Sequence, residues 1–405
     1  MVAVAAVAKF SSGPSQSYVF AVFIDPVLAY TGLSRTALSG VYMAGTLAGA
    51  VVVMLVSRLA DRFGARAMLV AVALALGSVC LGLAFVAGVA AVIVLFATLR
   101  ALGQGPLPVI GTLLTVQWFV RRRGLAVAVA GLGATASNAL LPPLAQALNA
   151  AIGWQRAYLV LGVLIWLLVI PLALLLVRNY PEDLGLHPDG ATQPPERDAV
   201  ARPLEAREPP RRVLTSPDFW LLAVPLSASS FVSTALVFHQ VSIFAERGLG
   251  AGVAAAAFAP FAAAATGGTL LAGFLVARVG VRRLLLASLS LLLVALAAVQ
   301  LMTTPTTAVL YALLLGAASG MQTVLSGVTW AHYYGRRGLG RVQGAASMVS
   351  IVASAVAPLP LAALQQAFGG YGPGLLVFAS VPILCASIVV FFEPRRLRPR
   401  GSAAA

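Results

Sequence analysis

A few residues in this chain could handle charge or protons, and each stands inside an apolar run. Arg100 lies well within run 90–116. A guanidinium at that depth costs about 2.5–3.5 kcal/mol on insertion scales, so it must face a protein interior and have partners. It either meets a solute anion or is satisfied by carbonyls and polar neighbours. Asp25 lies toward the far end of the first run, as a titrating carboxylate or as a cap at its mouth. His239, next to Gln240 in run 217–245, could change charge near neutral pH or stay neutral and hydrogen-bonded. Gln16, Ser17 and Tyr18 follow Gly13-Pro14, a break that either frees backbone groups for a solute or only kinks the helix. Asn138, Gln322 and, more weakly, Gln343 are further polar candidates, whereas Lys9 is expected to reach its ammonium to the interface and Trp330 to sit in an interfacial belt.

These groups need a frame, and composition says which. Of 405 residues, 60% are hydrophobic and 10% charged, against roughly half and a quarter in a soluble domain. Mean hydropathy is +0.95. A membrane helix takes about 20 residues. Apolar runs of that length fall at 3–29, 36–57, 67–87, 90–116, 124–150, 156–177, 217–245, 252–277, 282–302, 306–331, 340–364 and 373–392. A twelve-helix, all-α membrane protein is predicted. The run lengths exclude a soluble enzyme and a period-two outer-membrane barrel. The first run continues into a full span, so no cleaved signal peptide is expected.

Charge gives the expected orientation. Net charge is +15. One set of short loops carries twelve arginines: Arg58, Arg62, Arg66, Arg121, Arg122, Arg123, Arg278, Arg282, Arg283, Arg336, Arg337 and Arg341. The alternate loops carry three: Arg35, Arg156 and Arg247. Arginine accumulates in cytoplasmic loops, so both termini are expected in the cytoplasm, and the basic balance needs no nucleic-acid partner. Cys80 and Cys385 lie in apolar runs, which suits neither a disulfide framework nor a thiolate metal site.

The chain repeats. Gly32-Leu33 recurs as Gly248-Leu249, Gly64 as Gly280 and Pro142 as Pro358, each 216 residues on. Gly153-Trp154 recurs as Gly370-Tyr371, 217 residues on. The expected domains are a six-helix bundle at 1–177, a polar cytoplasmic linker at 178–215, a second bundle at 216–393 and a tail at 394–405. Parallel repeats of this kind place a solute site between the halves near the bilayer midplane.

The loop Ser57-Arg58-Leu59-Ala60-Asp61-Arg62-Phe63-Gly64-Ala65-Arg66 resembles the signature G-x-L-x-D-R-x-G-x-R of the major facilitator superfamily, with Ser57 at the first glycine. Its counterpart Gly273 to Arg282 keeps Gly273, Arg278, Gly280 and Arg282 but has Ala277 in place of the aspartate. The resemblance covers nearly the whole chain. It implies a cytoplasmic gate in which Asp61 is the latch acid, supported by Arg62 and Arg66, with Arg121, Arg122 and Arg123 as partners. Arg100-Ala101-Leu102-Gly103 resembles the superfamily's arginine–glycine motif on the fourth span, tied in many members to proton coupling. Gly13 to Tyr18 through Asp25-Pro26, Gln117 to Gly124 with the later Gly153 to Arg156, and Tyr333 to Arg337 resemble the bacterial branch near monocarboxylate transporters and oxalate–formate antiporters. That branch keeps carboxylate-handling charges in its eighth and eleventh spans, where 252–277 and 340–364 carry no interior charge here.

No phosphate-binding loop, metal-ligand spacing or nucleophile elbow occurs in the sequence, so neither enzyme nor cofactor is expected. The expected function is secondary active transport of a small organic solute, a monocarboxylate-like anion moved by proton symport through rocker-switch alternating access. Proton-driven efflux of drugs or amphiphiles is the alternative, and a non-transporting membrane sensor or scaffold is the alternative of another class. The alanine- and arginine-rich, nearly lysine-free usage fits a GC-rich bacterial genome and hence an inner membrane, and a monomer is expected.

Overall fold

The computed structural model describes residues 1–119, 123–187, 216–334 and 339–391. The first half comprises α1 (Val2–Ser11), a 3₁₀ turn at Gly13–Ser15, α2 (Ser17–Thr31), α3 (Arg35–Ala84), α4 (Val89–Gly103), α5 (Pro106–Trp118), α6 (Arg123–Ile152) and α7 (Trp154–Leu176). A short 3₁₀ turn follows at Pro181–Leu184. The second half comprises α8 (Pro217–Glu246), α9 (Ala251–Ala256), α10 (Phe258–Val279), α11 (Val281–Gln300), α12 (Pro305–Tyr334), α13 (Leu339–Val356), α14 (Pro358–Phe368) and α15 (Tyr371–Phe391).

Among the described residues, eleven helical stretches are long and apolar enough to cross a membrane. The expected crossing at 3–29 differs, being α1 and α2 joined by the 3₁₀ turn. Proline is the cause: Pro14 has no N–H for the Phe10 carbonyl four residues earlier. The Ser137 hydroxyl on α6 donates to that carbonyl instead, at 2.9 Å. The other interrupted crossings, α4–α5, α9–α10 and α13–α14, also break at or just before a proline (Pro106, Pro260 and Pro358). Large apolar side chains such as Leu175, Leu270 and Phe391 are exposed around the bundle, as a lipid surround permits.

The repeat is visible in the backbone. Gly64 and Gly280 share a conformation open essentially only to glycine, with φ of 84° and 87°. Gly64 divides α3 into two membrane-length helices. Beside it, Arg66 donates to the Leu174 carbonyl at the end of α7. Its counterpart Arg282 donates to the Val389 and Val390 carbonyls at the end of α15, at 3.0 and 2.7 Å. Each guanidinium thus caps the C-terminus of the last helix in its own half, where carbonyls lack helical partners and the dipole favours a cation.

The loops with Gly64 and Gly280 mark an arginine-rich end, and those with Gly32, Gly153, Gly248 and Gly369 an arginine-poor end. One buried apolar cluster runs through the first half and across into the second through Phe238, Phe244 and Phe258. A separate cluster around Phe219, Leu226, Leu285 and Trp330 fills the arginine-rich end of the second half with residues of that half alone. The apolar cores therefore merge at the arginine-poor end.

Candidate functional site

Two broken crossings meet inside the first half and satisfy one another. Gln16, in extended conformation after the 3₁₀ turn, sends its amide nitrogen to the Gly103 and Gln104 carbonyls, each at 3.3 Å. Those carbonyls lie at the α4–α5 break. In return, Arg100 on α4 donates from Nη1 to the Ser15 carbonyl at the α1–α2 break, at 2.8 Å. Arg100 Nε donates to Thr46 Oγ1 at 2.9 Å and Nη2 to the Tyr42 hydroxyl at 2.6 Å. Its guanidinium also lies 4.3 Å from the centre of the Tyr42 ring. Arg100 is 2% exposed, so these contacts replace water almost entirely. Gly103 permits the crossing, because a Cβ there would stand 2.0 Å from Ser15 Oγ.

Ser17 and Tyr18 extend this network. Ser17 shares a 2.6 Å hydrogen bond with the Tyr42 hydroxyl. Tyr18 donates to Ser137 Oγ at 2.9 Å. The Asn138 carbonyl oxygen and the Gln104 carbonyl oxygen of the side chain are buried without a protein partner.

The halves meet on aromatic rings. Phe238 of α8 stacks on Phe20 at 5.4 Å and meets Tyr42 edge-on at 4.6 Å, while Tyr18 lies 6.2 Å from Phe258. Nearer the arginine-poor surface, Asp25 and Arg35 form an ion pair at 2.7 Å. Both bind Ser242 on α8: Arg35 donates to its hydroxyl, which donates to Asp25 at 3.1 Å. Thr36 donates to the Gln366 side-chain oxygen at 2.5 Å. Together these contacts close the arginine-poor end.

His239 is fully buried in α8. Its Nε2 lies 3.0 Å from the Pro358 carbonyl and its Nδ1 3.0 Å from the Tyr371 hydroxyl. A carbonyl only accepts, so Nε2 carries a proton, and Nδ1 shares its hydrogen bond with the tyrosine hydroxyl, which can donate or accept. Gln240 donates to the Ala254 carbonyl at 2.7 Å. Gln322 donates to the Leu226 carbonyl and to Ser326. Between α8 and α13–α14 the second half places hydroxyl pairs, Ser227–Ser350 and Thr234–Ser354.

At the arginine-rich end, Arg62 lies against Phe63 and Arg278 against Phe274. Asn179 Oδ1 accepts from the Arg66 backbone N–H at 3.0 Å. Arg121 and Arg122, and the side chains of Asp61 and Arg123, lie outside the described residues. No group of three or more His, Cys, Asp or Glu suited to a metal occurs among the described residues.

The structure thus gathers Gln16, Ser17, Tyr18 and Arg100 around one crossing, holds Asp25 at the closed interface and buries His239 within the second half. Thr46, Tyr42, Ser242 and Tyr371 complete these sets. Nothing in their own sequence neighbourhoods distinguishes them from ordinary span residues, except that Tyr371 falls in a repeat landmark.

A family model described as Major Facilitator Superfamily matches residues 5–309 and 241–405. No curated protein matches the chain. Among solved structures, the chain is similar to a bacterial homolog of the human lysosomal transporter Spinster in its inward-facing, occupied conformation. The TM-score is 0.72 at 16% identity, covering 98% of this chain and 97% of that one. The inward-facing, unoccupied form of such a homolog gives a TM-score of 0.66 at 18% identity, covering 96% and 94%.

Proposed function

The chain belongs to the major facilitator superfamily, and we propose that it is a proton-coupled secondary transporter of a small organic anion, working by rocker-switch alternating access. That it is a membrane transporter and not an enzyme follows from the family. In the proposed orientation the arginine-rich end and both termini face the cytoplasm of a bacterial inner membrane, and the protein acts as a monomer. The state described is then closed outside.

One observation carries the anion reading. The first half holds Arg100 and Lys9 in its membrane-spanning core, and the acid deepest among the described spans, Asp25, is neutralised by Arg35. The membrane-spanning core of the first half is therefore net positive, which favours a carboxylate over a cation. Arg100 acts here chiefly as the brace that ties the two broken crossings together. The stretches resembling the monocarboxylate and oxalate–formate branch support a carboxylate as well. Asp61 and its neighbours would latch the cytoplasmic gate.

Uptake into proteoliposomes tests this, with labelled mono- and dicarboxylates offered with and without an inward proton gradient. Gradient-stimulated uptake of one acid is expected. Silence for every acid, in sealed vesicles, overturns the reading. Efflux of amphiphiles is the second reading. It is favoured by the facing helices of the second half, whose described polar groups are hydroxyls and amides such as Ser227, Thr234, Gln322 and Ser350.

A further inference from the structure

Three helices of the second half have their ends together at the arginine-poor surface. α8 finishes at Glu246, α11 finishes at Gln300 and α15 begins at Tyr371. Between these ends lies an open cleft of about 550 Å³, lined by Glu246, Arg247, Gln300, Gly372, Pro373 and Leu376. It is separate from the crossing braced by Arg100 and from the ion pair that closes the halves.

The polar floor of the cleft is held by its own hydrogen bonds. Arg247 donates from Nη2 to the Gln300 side-chain oxygen, and Gln300 donates in turn to the Gly372 carbonyl at 2.6 Å. Glu246 accepts from the Tyr371 backbone N–H at 2.9 and 3.0 Å. Both charged groups keep spare capacity. A guanidinium has five N–H donors and a carboxylate about four acceptor sites. Arg247 Nε is buried without a protein partner. Glu246 and Arg247 form no ion pair with each other. A bare anion here would meet the carboxylate, and a bare cation the guanidinium. A ligand carrying both charges satisfies both.

The lip of the cleft is apolar. Leu376 is 67% exposed and stands five residues into α15, about 7–8 Å from the helix start. The cleft therefore runs from the level where helices leave the membrane down to the side that faces lipid. Gly372 supplies part of its space. A Cβ there would lie 3.8 Å from the Gln300 side-chain oxygen and 4.0 Å from Arg247 Nη2, in ordinary contact.

The internal repeat shows that the fold does not need this set. At the 216-residue period, Glu246, Arg247, Gln300 and Gly372 correspond to Tyr30, Thr31, Ala84 and Arg156. In the first half Tyr30 packs on Trp154 and donates to the Val86 carbonyl, and α7 begins with no side-chain cap.

We propose that the cleft between α8, α11 and α15 binds one phospholipid whose head is a zwitterion with a primary ammonium. Its phosphate sits on Arg247, its ammonium on Glu246, and its glycerol and upper acyl chain on Pro373 and Leu376. In the orientation proposed above this is a lipid of the outer leaflet.

Native mass spectrometry of the full chain tests this. The detergent-solubilised protein is titrated with phosphatidylethanolamine, phosphatidylcholine and phosphatidylglycerol of identical acyl chains, and the first bound lipid is followed. Phosphatidylcholine has the same charges but no N–H donors. Phosphatidylethanolamine should bind at about tenfold lower concentration, the worth of one hydrogen bond to a charged group. Glu246→Gln keeps an acceptor for the Tyr371 N–H and should erase that preference. Arg247→Gln should weaken both zwitterionic lipids together. Gly372→Leu leaves both charges in place, fills the cleft and should block the first lipid. Each preference is a ratio within one protein, and circular dichroism checks that the variants keep their helices. Equal binding of the two zwitterionic lipids overturns the proposal. So does a preference that survives Glu246→Gln, or a Gly372→Leu variant that binds as the parent does. Tightest binding of phosphatidylglycerol would make the cleft an anion site and overturn the zwitterion assignment. Displacement of the lipid by an equal concentration of free phosphoethanolamine would make the occupant soluble and overturn the lipid assignment.

Discussion

Gly64 and Gly280 offer a matched pair in which one physical term can be isolated. Both backbones lie in the glycine-only region, at φ 84°, ψ 158° and φ 87°, ψ 154°. Forcing alanine there costs about 1–3 kcal/mol in either half. The surroundings differ. A Cβ on Gly280 would meet nothing within 4 Å, whereas one on Gly64 would stand 2.2 Å from Asn179 Nδ2. Asn179 must then move and give up its hydrogen bond with the Arg66 N–H, worth about 1 kcal/mol. Gly64→Ala should therefore destabilise the protein by about 1 kcal/mol more than Gly280→Ala. Adding Asn179→Ala to Gly64→Ala should recover the steric part, so the double-mutant cycle should show a coupling of that size. Reversible unfolding in mixed micelles, followed by circular dichroism against the fraction of denaturing detergent, measures the parent and the four variants Gly64→Ala, Gly280→Ala, Asn179→Ala and the Gly64→Ala/Asn179→Ala double. Equal losses for the two glycines would refute the role given to Asn179. Two variants as stable as the parent would refute the backbone argument itself.

Other consequences follow from the same contacts. Arg100→Met removes three buried charged hydrogen bonds and leaves the Ser15 carbonyl dry, so a loss of about 3 kcal/mol or more is expected in the same unfolding assay. Arg66→Ala and Arg282→Ala should each cost about 1 kcal/mol and add in the double variant, since the two caps lie in different halves; non-additive losses would contradict independent capping. Phe238→Ala deletes the ring wedged between Phe20 and Tyr42 and should shift the arginine-poor end toward open. Thr36→Ala removes one rim hydrogen bond of about 1 kcal/mol or less and should shift it far less. Distances between spin labels at Ala37→Cys and Gly250→Cys, in a background without Cys80 and Cys385, would rank the two.

The architecture was legible because run length and arginine bias are properties of the sequence itself. Gly64 and Gly280 were legible too, since only one residue type suits their backbone. The partners of the charged groups were not. Arg100 is held partly by the Ser15 carbonyl, and Arg66 and Arg282 by the carbonyls of residues 174, 389 and 390. A backbone carbonyl has no sequence signature, so a capping arginine and a loop arginine look alike in one dimension. Asp25 and Ser242 are 217 positions apart and meet only through packing of the two halves. The break in the first run was announced by Gly13-Pro14, but its repair by Ser137, Gln16 and Arg100 came from three different helices. The last loop repeat also differs by one position. The positive φ that matches Gly153 belongs to Gly369, which restores the 216-residue period.

That period separates what the halves share from what they do not. The shared positions hold the fold: the glycines at 64 and 280, and the arginine caps at 66 and 282. The unshared positions hold the chemistry. Asp25 corresponds to Val241, Gln16 to Val232, and His239 to Phe23. Arg100 corresponds to Gly316, and the exchange has a steric logic. In the first half the small residue is Gly45, where a Cβ would fall 2.9 Å from Arg100 Cβ and 2.7 Å from the Ala97 carbonyl. Its missing side chain lets the Arg100 stem pass between α3 and α4. In the second half the same contact is reversed. Phe261 stands where Gly45 stood, and Gly316 is the small residue, a Cβ of which would fall 2.2 Å from the Phe261 carbonyl. One helix pair was thus packed twice, with the small residue on opposite helices and a guanidinium only in the first half. The charge is confined to the first half, while the hydroxyl pairs and the histidine belong to the second. A solute between the halves would meet two unlike walls, and the asymmetry needed to bind it arises from substitutions that leave the shared frame unaltered.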